Sequence, residues 1–263
     1  MQKDIVITNS KLTGITSGIA ELDKLTNRWQ DSNLIVFAAH PNMGKTALML
    51  TIAVNMACGH NIPVAIFSLE MSNTQIINRL LSNISEIKRE KIKSGDLTDS
   101  EQKHIETNIK ILRNASMYID DTANITITAL EFQMRQLAQN YQVKYIFIDY
   151  LQLVLGCENN LRFRSRQDEI ELIMKRLSDL ANELDILIIV LYEFSKGIDK
   201  NRKDKSPCMR DFGEMSGIMK QYIDGIYFLH RPEYYLPYQK EDSRHLCRLV
   251  GILKVSSPDI ALQ

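Results

Sequence analysis

The chain has 263 residues, a hydrophobic fraction of 44%, and 32 Lys+Arg balanced by 32 Asp+Glu. That composition excludes a disordered chain and supplies apolar material for one or two ordinary domains. It gives no net field to draw the protein onto a polyanion, so nucleic-acid contact would need local clusters of Lys and Arg.

The first residues, 1–6, carry no apolar stretch of signal-peptide length, and the longest apolar runs, 34–39 and 186–192, fall far below the ~20 residues of a membrane span. The expected setting is cytoplasmic. Short apolar runs at 34–39, 64–68, 117–119, 145–148, 186–191 and 226–229 alternate with longer stretches of helical periodicity, as βαβ units do. Strands covered by helices on both faces read as unbroken apolar runs, and Ile186-Leu187-Ile188-Ile189-Val190-Leu191 is one. The alternation predicts an α/β fold, a mostly parallel twisted sheet flanked by helices. Ser72-Asn73-Thr74-Gln75 and Thr98-Asp99-Ser100-Glu101 have capping-box spacing, which predicts helices starting near 73 and 99. From 168 to 184, Ile170, Ile173, Leu177, Leu180 and Leu184 recur at helical spacing and predict a helix leading into the strand at 186. Polar stretches near 156–167 and 195–211 predict long loops, which often carry function in such domains. The four cysteines, Cys58, Cys157, Cys208 and Cys247, are scattered, with no C-x-x-C pair and no suitably spaced His; they read as free thiols.

Three of the strands end in residues with chemistry. The first runs from 34 to Ala39 into His40, Pro41, Asn42, Met43, Gly44, Lys45 and Thr46, and an apolar helical stretch follows at 47–56. This is G-x-x-x-x-G-K-T with Ala39 in the first Gly place. In such a turn successive backbone N–H groups and the helix N-terminus cradle phosphates, the lysine reaches the terminal phosphates, and the Thr hydroxyl is offered to Mg²⁺. The second strand ends Phe67-Ser68-Leu69-Glu70, which is expected to place a carboxylate at the carboxyl edge of the sheet beside the phosphate-loop strand, able to orient an attacking water. The third ends Tyr145-Ile146-Phe147-Ile148-Asp149, the pattern by which a Walker-B aspartate holds Mg²⁺. Either acid alone would also serve as a helix cap or a solvated strand end. With Lys45 and Thr46 they support one another as an ATP and Mg²⁺ site.

Pro41-Asn42-Met43-Gly44-Lys45-Thr46, Phe67-Ser68-Leu69-Glu70-Met71, Ile148-Asp149-Tyr150-Leu151-Gln152-Leu153 and His230-Arg231-Pro232-Glu233-Tyr234-Tyr235 follow one another in order. With the lead-in from Gly14 to Asp23, they make the chain resemble the C-terminal motor domain of DnaB-family replicative DNA helicases, from about Gly14 to Lys254. The resemblance implies a RecA-like P-loop NTPase fold over 14–263, truncated at its C-terminal strands, behind a lead-in or linker remnant at 1–13. It further implies self-association into a hexameric ring and 5′-to-3′ unwinding coupled to ATP hydrolysis in DNA replication, with a primase or loader as partner. By residue, it implies that Lys45 and Thr46 bind the phosphates and Mg²⁺, that Glu70 is the general base and that Asp149 is the Walker-B acid.

The chain departs from the family pattern at three places. Glu193, in Leu191-Tyr192-Glu193-Phe194, stands where the family has the Gln that senses the γ-phosphate, and a carboxylate there repels phosphate. The family's Asp-Leu-Arg-Glu-Ser-Gly element reads Asp211-Phe212-Gly213-Glu214-Met215-Ser216-Gly217, without its arginine. Its Lys-x-Arg-Asn-Gly-Pro segment, whose cations reach the neighbouring subunit's nucleotide, keeps Lys254 but has Ser256 in the arginine's place. An arginine finger contributes about three to five decades of rate in phosphoryl transfer, so the implied cost falls on turnover rather than on binding.

For single-stranded DNA the candidate contacts are Arg162, Arg164 and Arg166 in one predicted loop and Lys196, Lys200, Arg202, Lys203 and Lys205 in the other. Spaced cations of this kind follow a phosphate backbone without reading bases. Two other readings stand beside the motor. One is a degenerate helicase-like regulatory or interaction protein, favoured by Ser256, Glu193 and Gly213. The other is a RecA-type recombinase, which explains 148–153 and 230–235 less well.

Overall fold

The computed structural model describes residues 14–156, 163–194 and 206–232, together with the backbone of 248–254. Seven strands form one sheet: β1 (Leu34–Ala39), β2 (Val64–Ser68), β3 (Met117–Asp120), β4 (Tyr145–Asp149), β5 (Leu187–Glu193), β6 (Gly225–His230) and β7 (Arg248–Lys254). Their order is β3-β2-β4-β5-β1-β6-β7. The first six are parallel, and β7 runs antiparallel along β6 at the edge. The helices are α1 (Ala20–Thr26), α2 (Lys45–Val54), α3 (Asn73–Ser85), α4 (Arg89–Ser94), α5 (Asp99–Asn114), α6 (Ile127–Tyr141), α7 (Arg166–Leu184) and α8 (Ser216–Tyr222).

The alternation of side chains along a strand divides the core in two. From β1, Leu34, Val36 and Ala38 pack with Leu130 and Met134 of α6 and Ile173 and Leu177 of α7. Ile35, Phe37 and Ala39 point the other way, onto Met49, Leu50 and Ala53 of α2 and Ile76 and Leu80 of α3. Each Leu, Ile or Phe fully buried in this way contributes roughly 1.5–3 kcal/mol, which is why both faces of the inner strands are unbroken in apolar character.

The six strands read from the sequence are all present. The helices at α3 and α5 start where the capping boxes place them: the Gln75 side chain accepts from the Ser72 backbone N–H at 3.0 Å, and Thr98 and Glu101 bond reciprocally at 2.9 and 3.3 Å. Three expectations are corrected. The first polar stretch is not loop to 167, because Ser165 caps α7 by accepting from the Asp168 N–H at 3.2 Å and helix begins at Arg166. The second is not loop to 211, since a 3₁₀ segment, Met209–Met215, starts two residues earlier. β2 does not lie beside the phosphate-loop strand either: β4 and β5 separate it from β1, whose own neighbours are β5 and β6. A right-handed βαβ crossover leaves room for later strands to insert, so order along the chain does not fix order in the sheet.

The lead-in is tied down by one carboxylate. Asp23 accepts from the Ser17 N–H and hydroxyl, both at 2.6 Å, and from the Thr16 hydroxyl. Trp29 then closes the far end of the sheet, its indole N–H donating to the Tyr227 hydroxyl at 3.1 Å. Cys58 and Cys208 are free thiols, and burial pushes the Cys58 thiol up; Cys157 and Cys247 lie outside the described residues. No helix among the described residues is long and apolar enough to cross a membrane.

Candidate functional site

The carboxyl ends of β1, β2, β4 and β5 converge on one edge of the sheet. From β1 the chain turns through 40–44 into α2, with Asn42 at φ 64° and Gly44 at φ 94°. At Gly44 the left-handed backbone favours glycine, and a Cβ there would meet nothing within 4 Å, so the requirement is conformational rather than steric. The turn delivers Lys45 and Thr46 as the first two residues of α2. His40 and Met43 are buried and anchor the turn, while Pro41 is half-buried and Asn42 exposed.

Two acids from different strands bond to these two adjacent residues. The Thr46 hydroxyl donates to Asp149 Oδ2 at 2.7 Å. Lys45, only 7% exposed, donates its Nζ to Glu193 Oε2 at 2.9 Å and to the His40 carbonyl at 3.4 Å. Glu193 lies directly beside Ala39 in the β1–β5 register, so the strand pairing itself brings this acid over the phosphate loop. The peptide bond between Asp149 and Tyr150 is cis.

Asp149 is 2% exposed, and burial raises its carboxyl above the usual range. The Thr46 hydroxyl opposes that shift, the negative charge of Glu70 adds to it, and Lys45 and Arg79 oppose it more weakly. Glu70 itself is exposed just past the end of β2, whose tip is joined to the tip of β4 by the Leu69 N–H donating to the Asp149 carbonyl at 2.8 Å.

Two residues of the site carried no role in the sequence reading. Gln152 donates its amide to the Glu193 carbonyl at 2.7 Å and accepts from the Glu193 N–H at 3.4 Å, clamping the backbone that presents Glu193. Its place three residues after Asp149 is the signal that could have found it. Arg79, from α3, has a buried Nε without a hydrogen-bond partner; burial lowers its pKa, as does Arg89, while Asp149 and Glu70 raise it. Nothing in the periodicity of α3 separates Arg79 from an ordinary solvated arginine.

Among the described residues no group of three or more His, Cys, Asp or Glu side chains could hold a metal ion by itself. In a nucleotide site Mg²⁺ takes one or two protein oxygens together with phosphate oxygens. A hydroxyl and a buried carboxylate 2.7 Å apart, at the N-terminus of α2 beside a buried lysine, are the matching donor set.

The family model described as "DnaB-like helicase C terminal domain" matches residues 14–255. The chain belongs to this family. Its DnaB-like domain is 39% identical over 227 residues to the replicative DNA helicase DnaB of Geobacillus stearothermophilus, covering 86% of this chain and 49% of that protein. It is 38% identical over 224 residues to the replicative DNA helicase DnaC of Bacillus subtilis, covering 85% and 48%. Among solved structures it resembles one described as an ATPase domain, with TM-score 0.80 and 33% identity over 89% of this chain and 81% of that one. It also resembles a DnaB-like replicative helicase described with its primase interactions, with TM-score 0.81 and 32% identity over 90% and 56%. The fold is RecA-like, as the resemblance implied, and membership in a helicase ATPase family implies nucleotide binding. The matches favour this family over a RecA-type recombinase. The chain spans about half the length of the curated relatives it matches.

Other predicted residues of the DnaB-like domain sit apart from the edge that holds Lys45. Lys254 pairs with Gly225 at the opposite end of β6, the edge of the sheet away from the phosphate loop, so it does not join its own chain's site. At Gly213, in the place of the family's arginine, the backbone has φ 57° and ψ −130°, a conformation that suits glycine and breaks the 209–215 segment. Arg164 is exposed ahead of α7. Arg166 is not a free loop cation: it begins α7, pairs with Glu169, and donates to the carbonyls of Gln152 at 2.7 Å and Val154 at 3.5 Å. The helix cap at Ser165 turns it back onto the segment after β4. Arg162, Lys196, Lys200, Arg202, Lys203, Lys205 and Ser256 lie outside the described residues.

Proposed function

We propose that this chain is the ATP-driven motor of a replicative DNA helicase, with residues 14–263 as the motor domain and 1–13 as its lead-in. The carrying observation is the meeting of Lys45, Thr46, Asp149 and Glu193 at one sheet edge, with Glu70 close enough to perturb Asp149. Backbone N–H groups of 42–46 and the Lys45 ammonium hold the phosphates. The Thr46 hydroxyl and Asp149 carboxylate hold Mg²⁺, whose contribution is to offset negative charge on the transferring group. Glu70 accepts a proton from water as its oxygen bonds to the γ-phosphorus; the bond to the bridging oxygen breaks, leaving ADP and inorganic phosphate.

The coupled substrate is single-stranded DNA. The cations of the two loops, Arg162 and Arg164 in one and Lys200, Arg202, Lys203 and Lys205 in the other, follow its phosphates without base preference. Arg166, exposed at the start of α7, is a further cation for the same contact. Ring assembly with a cation from a neighbouring subunit, Lys254, completes the site, a primase or loader is the expected partner protein, and the setting is the cytoplasm. The DnaB-family helicases that match over most of this chain support the assignment.

The deciding experiment is single-turnover ATP hydrolysis with and without single-stranded DNA, on the wild type and Lys45→Ala. DNA-stimulated hydrolysis lost in the variant is the expected result; hydrolysis that survives it overturns the phosphate-loop assignment. One observation favours a second reading, a helicase-like regulatory protein with slow turnover: Lys45 already has a carboxylate partner in Glu193. Nucleotide binding without DNA-stimulated hydrolysis is the result that would select it.

A further inference from the structure

We propose that Glu193 sets the nucleotide preference of the phosphate loop: held on Lys45, its carboxylate competes with the terminal phosphate, so that the site keeps a nucleoside diphosphate in preference to the triphosphate. This rests on the reading that residues 40–46 bind nucleotide, and adds which nucleotide they retain.

The competitor is placed by backbone rather than by a wandering side chain. β5 is registered against β1 with Glu193 opposite Ala39, and the next residue, Phe194, donates its N–H to the Ala39 carbonyl at 3.0 Å. Gln152 holds the Glu193 N–H and carbonyl from the other side. With the strand end fixed twice, the carboxylate reaches Lys45 at 2.9 Å and can leave it only by rotating about its own side-chain bonds. Its 35% exposure, against 7% for Lys45, gives it a path into solvent when displaced.

The ammonium has three donors, and the two acceptors on it are Glu193 and the His40 carbonyl. A phosphate oxygen that takes its place on Lys45 must therefore meet or expel a negative charge. Glu70 and Asp149 add further negative charge at the same edge, with Arg79 the other cation whose field reaches Asp149. The inner phosphates are held by backbone N–H groups of the turn, which carry no competing carboxylate. The lysine reaches the β- and γ-phosphates, and the third phosphoryl group adds about one more negative charge beside the carboxylate, so the competition falls more heavily on the triphosphate. A glutamine at 193 has nearly the same shape, leaves Lys45 free, and offers an N–H to phosphate.

The test is calorimetry on the full chain with Mg·ADP and with the non-hydrolysable triphosphate Mg·AMP-PNP. Glu193→Gln is expected to tighten AMP-PNP by about tenfold or more while changing ADP by less than about threefold. Glu193→Asp, which withdraws the charge by one methylene, moves the ratio in the same direction by less, and serves if the glutamine variant does not fold. A ratio unchanged in the folded variants, or an equal tightening of both nucleotides, overturns the inference. Lys45→Ala separates it from the reading beneath it: if that variant binds both nucleotides as the wild type does, the phosphate-loop assignment itself fails. If it loses both while the ratio in Glu193→Gln stays at the wild-type value, only the role of Glu193 fails.

Discussion

The ends of β4 and β5 each put one carboxylate onto one of two neighbouring residues of the phosphate loop, and the two pairs are built oppositely. Asp149 is 2% exposed and bonded to a neutral hydroxyl, so the buried partner is the acid and burial raises its pKa. Glu193 keeps 35% exposure and the buried partner is the cation, Lys45 at 7%. A buried charge whose direct partner is a neutral hydroxyl is costly, whereas a half-exposed one is screened. The β4 pair therefore holds a destabilising charge that suits a metal ion, and the β5 pair holds a lysine neutralised by an acid that solvent can receive.

The largest effect that would break this contrast is on turnover. Asp149→Asn should lower the ATP hydrolysis rate by on the order of a hundredfold or more, because charge stabilisation of the transferring phosphoryl group dominates such reactions. Rapid-quench assays check it, and hydrolysis within a few-fold of wild type would remove Asp149 from the reaction.

The stability of the protein without nucleotide separates the two ends next. Glu193→Gln strands a buried lysine and should cost about 1–2 kcal/mol, below the roughly 3–5 kcal/mol of a fully buried pair because Glu193 is partly solvated. Lys45→Met strands only the half-exposed acid and should cost less than that. Urea denaturation of both variants decides the order; equal losses would contradict the assigned asymmetry.

A smaller effect of opposite sign belongs to Asp149. Its raised pKa means that the folded state binds protons more readily than the unfolded one, so this residue's contribution falls as pH rises through its folded pKa. Asp149→Asn removes that cost, keeps an acceptor for Thr46, and should raise stability at neutral pH by about 0.5–2 kcal/mol, in the manner of relieved functional sites. A fall in melting temperature would show that the charged form is needed to hold the fold.

The smallest effect comes from an exposed pair that serves as reference. Lys91 donates to Glu101 at 2.7 and 3.1 Å, and with the Thr98 N–H this holds the Glu101 carboxyl down to about 2. A depressed acid stabilises above its unfolded pKa and loses that contribution as pH falls toward about 2. Glu101→Gln should therefore lower stability slightly at about pH 7, with the loss fading as pH falls from about 4.5 toward 2, so that acid unfolding is flatter in the variant. A loss of the same size at about pH 2 and at neutral pH would mean that the capping geometry, not the charge, is what matters there.

The positions of Lys45, Thr46, Asp149 and Glu70 at strand ends were legible because local rules settle them: an apolar run, a glycine able to take φ 94°, and an acid directly after the run. The capping boxes at Ser72 and Thr98 were equally local and placed α3 and α5 to the residue. Sheet order was not local. The separation of β2 from β1 by two later strands depends on where crossovers deposit each strand, which no window of sequence contains. The edge strand β7 was not read at all: it borrows its pairing from β6 and runs antiparallel to it, outside the βαβ alternation that revealed the others.

Arg166 shows the same division on a smaller scale. Its charge and its place after the Walker-B strand suggested a loop cation, whereas the helix cap at Ser165 makes it the first residue of α7, still exposed, with hydrogen bonds to the carbonyls of Gln152 and Val154. Periodicity, turn chemistry and capping are properties of a few consecutive residues, so the sequence alone determined the elements, the phosphate loop and the acids that end its strands. Which acid meets which cation is a property of strand register: pairing Ala39 with Glu193 is what set a carboxylate on Lys45, and only the tertiary structure decided that.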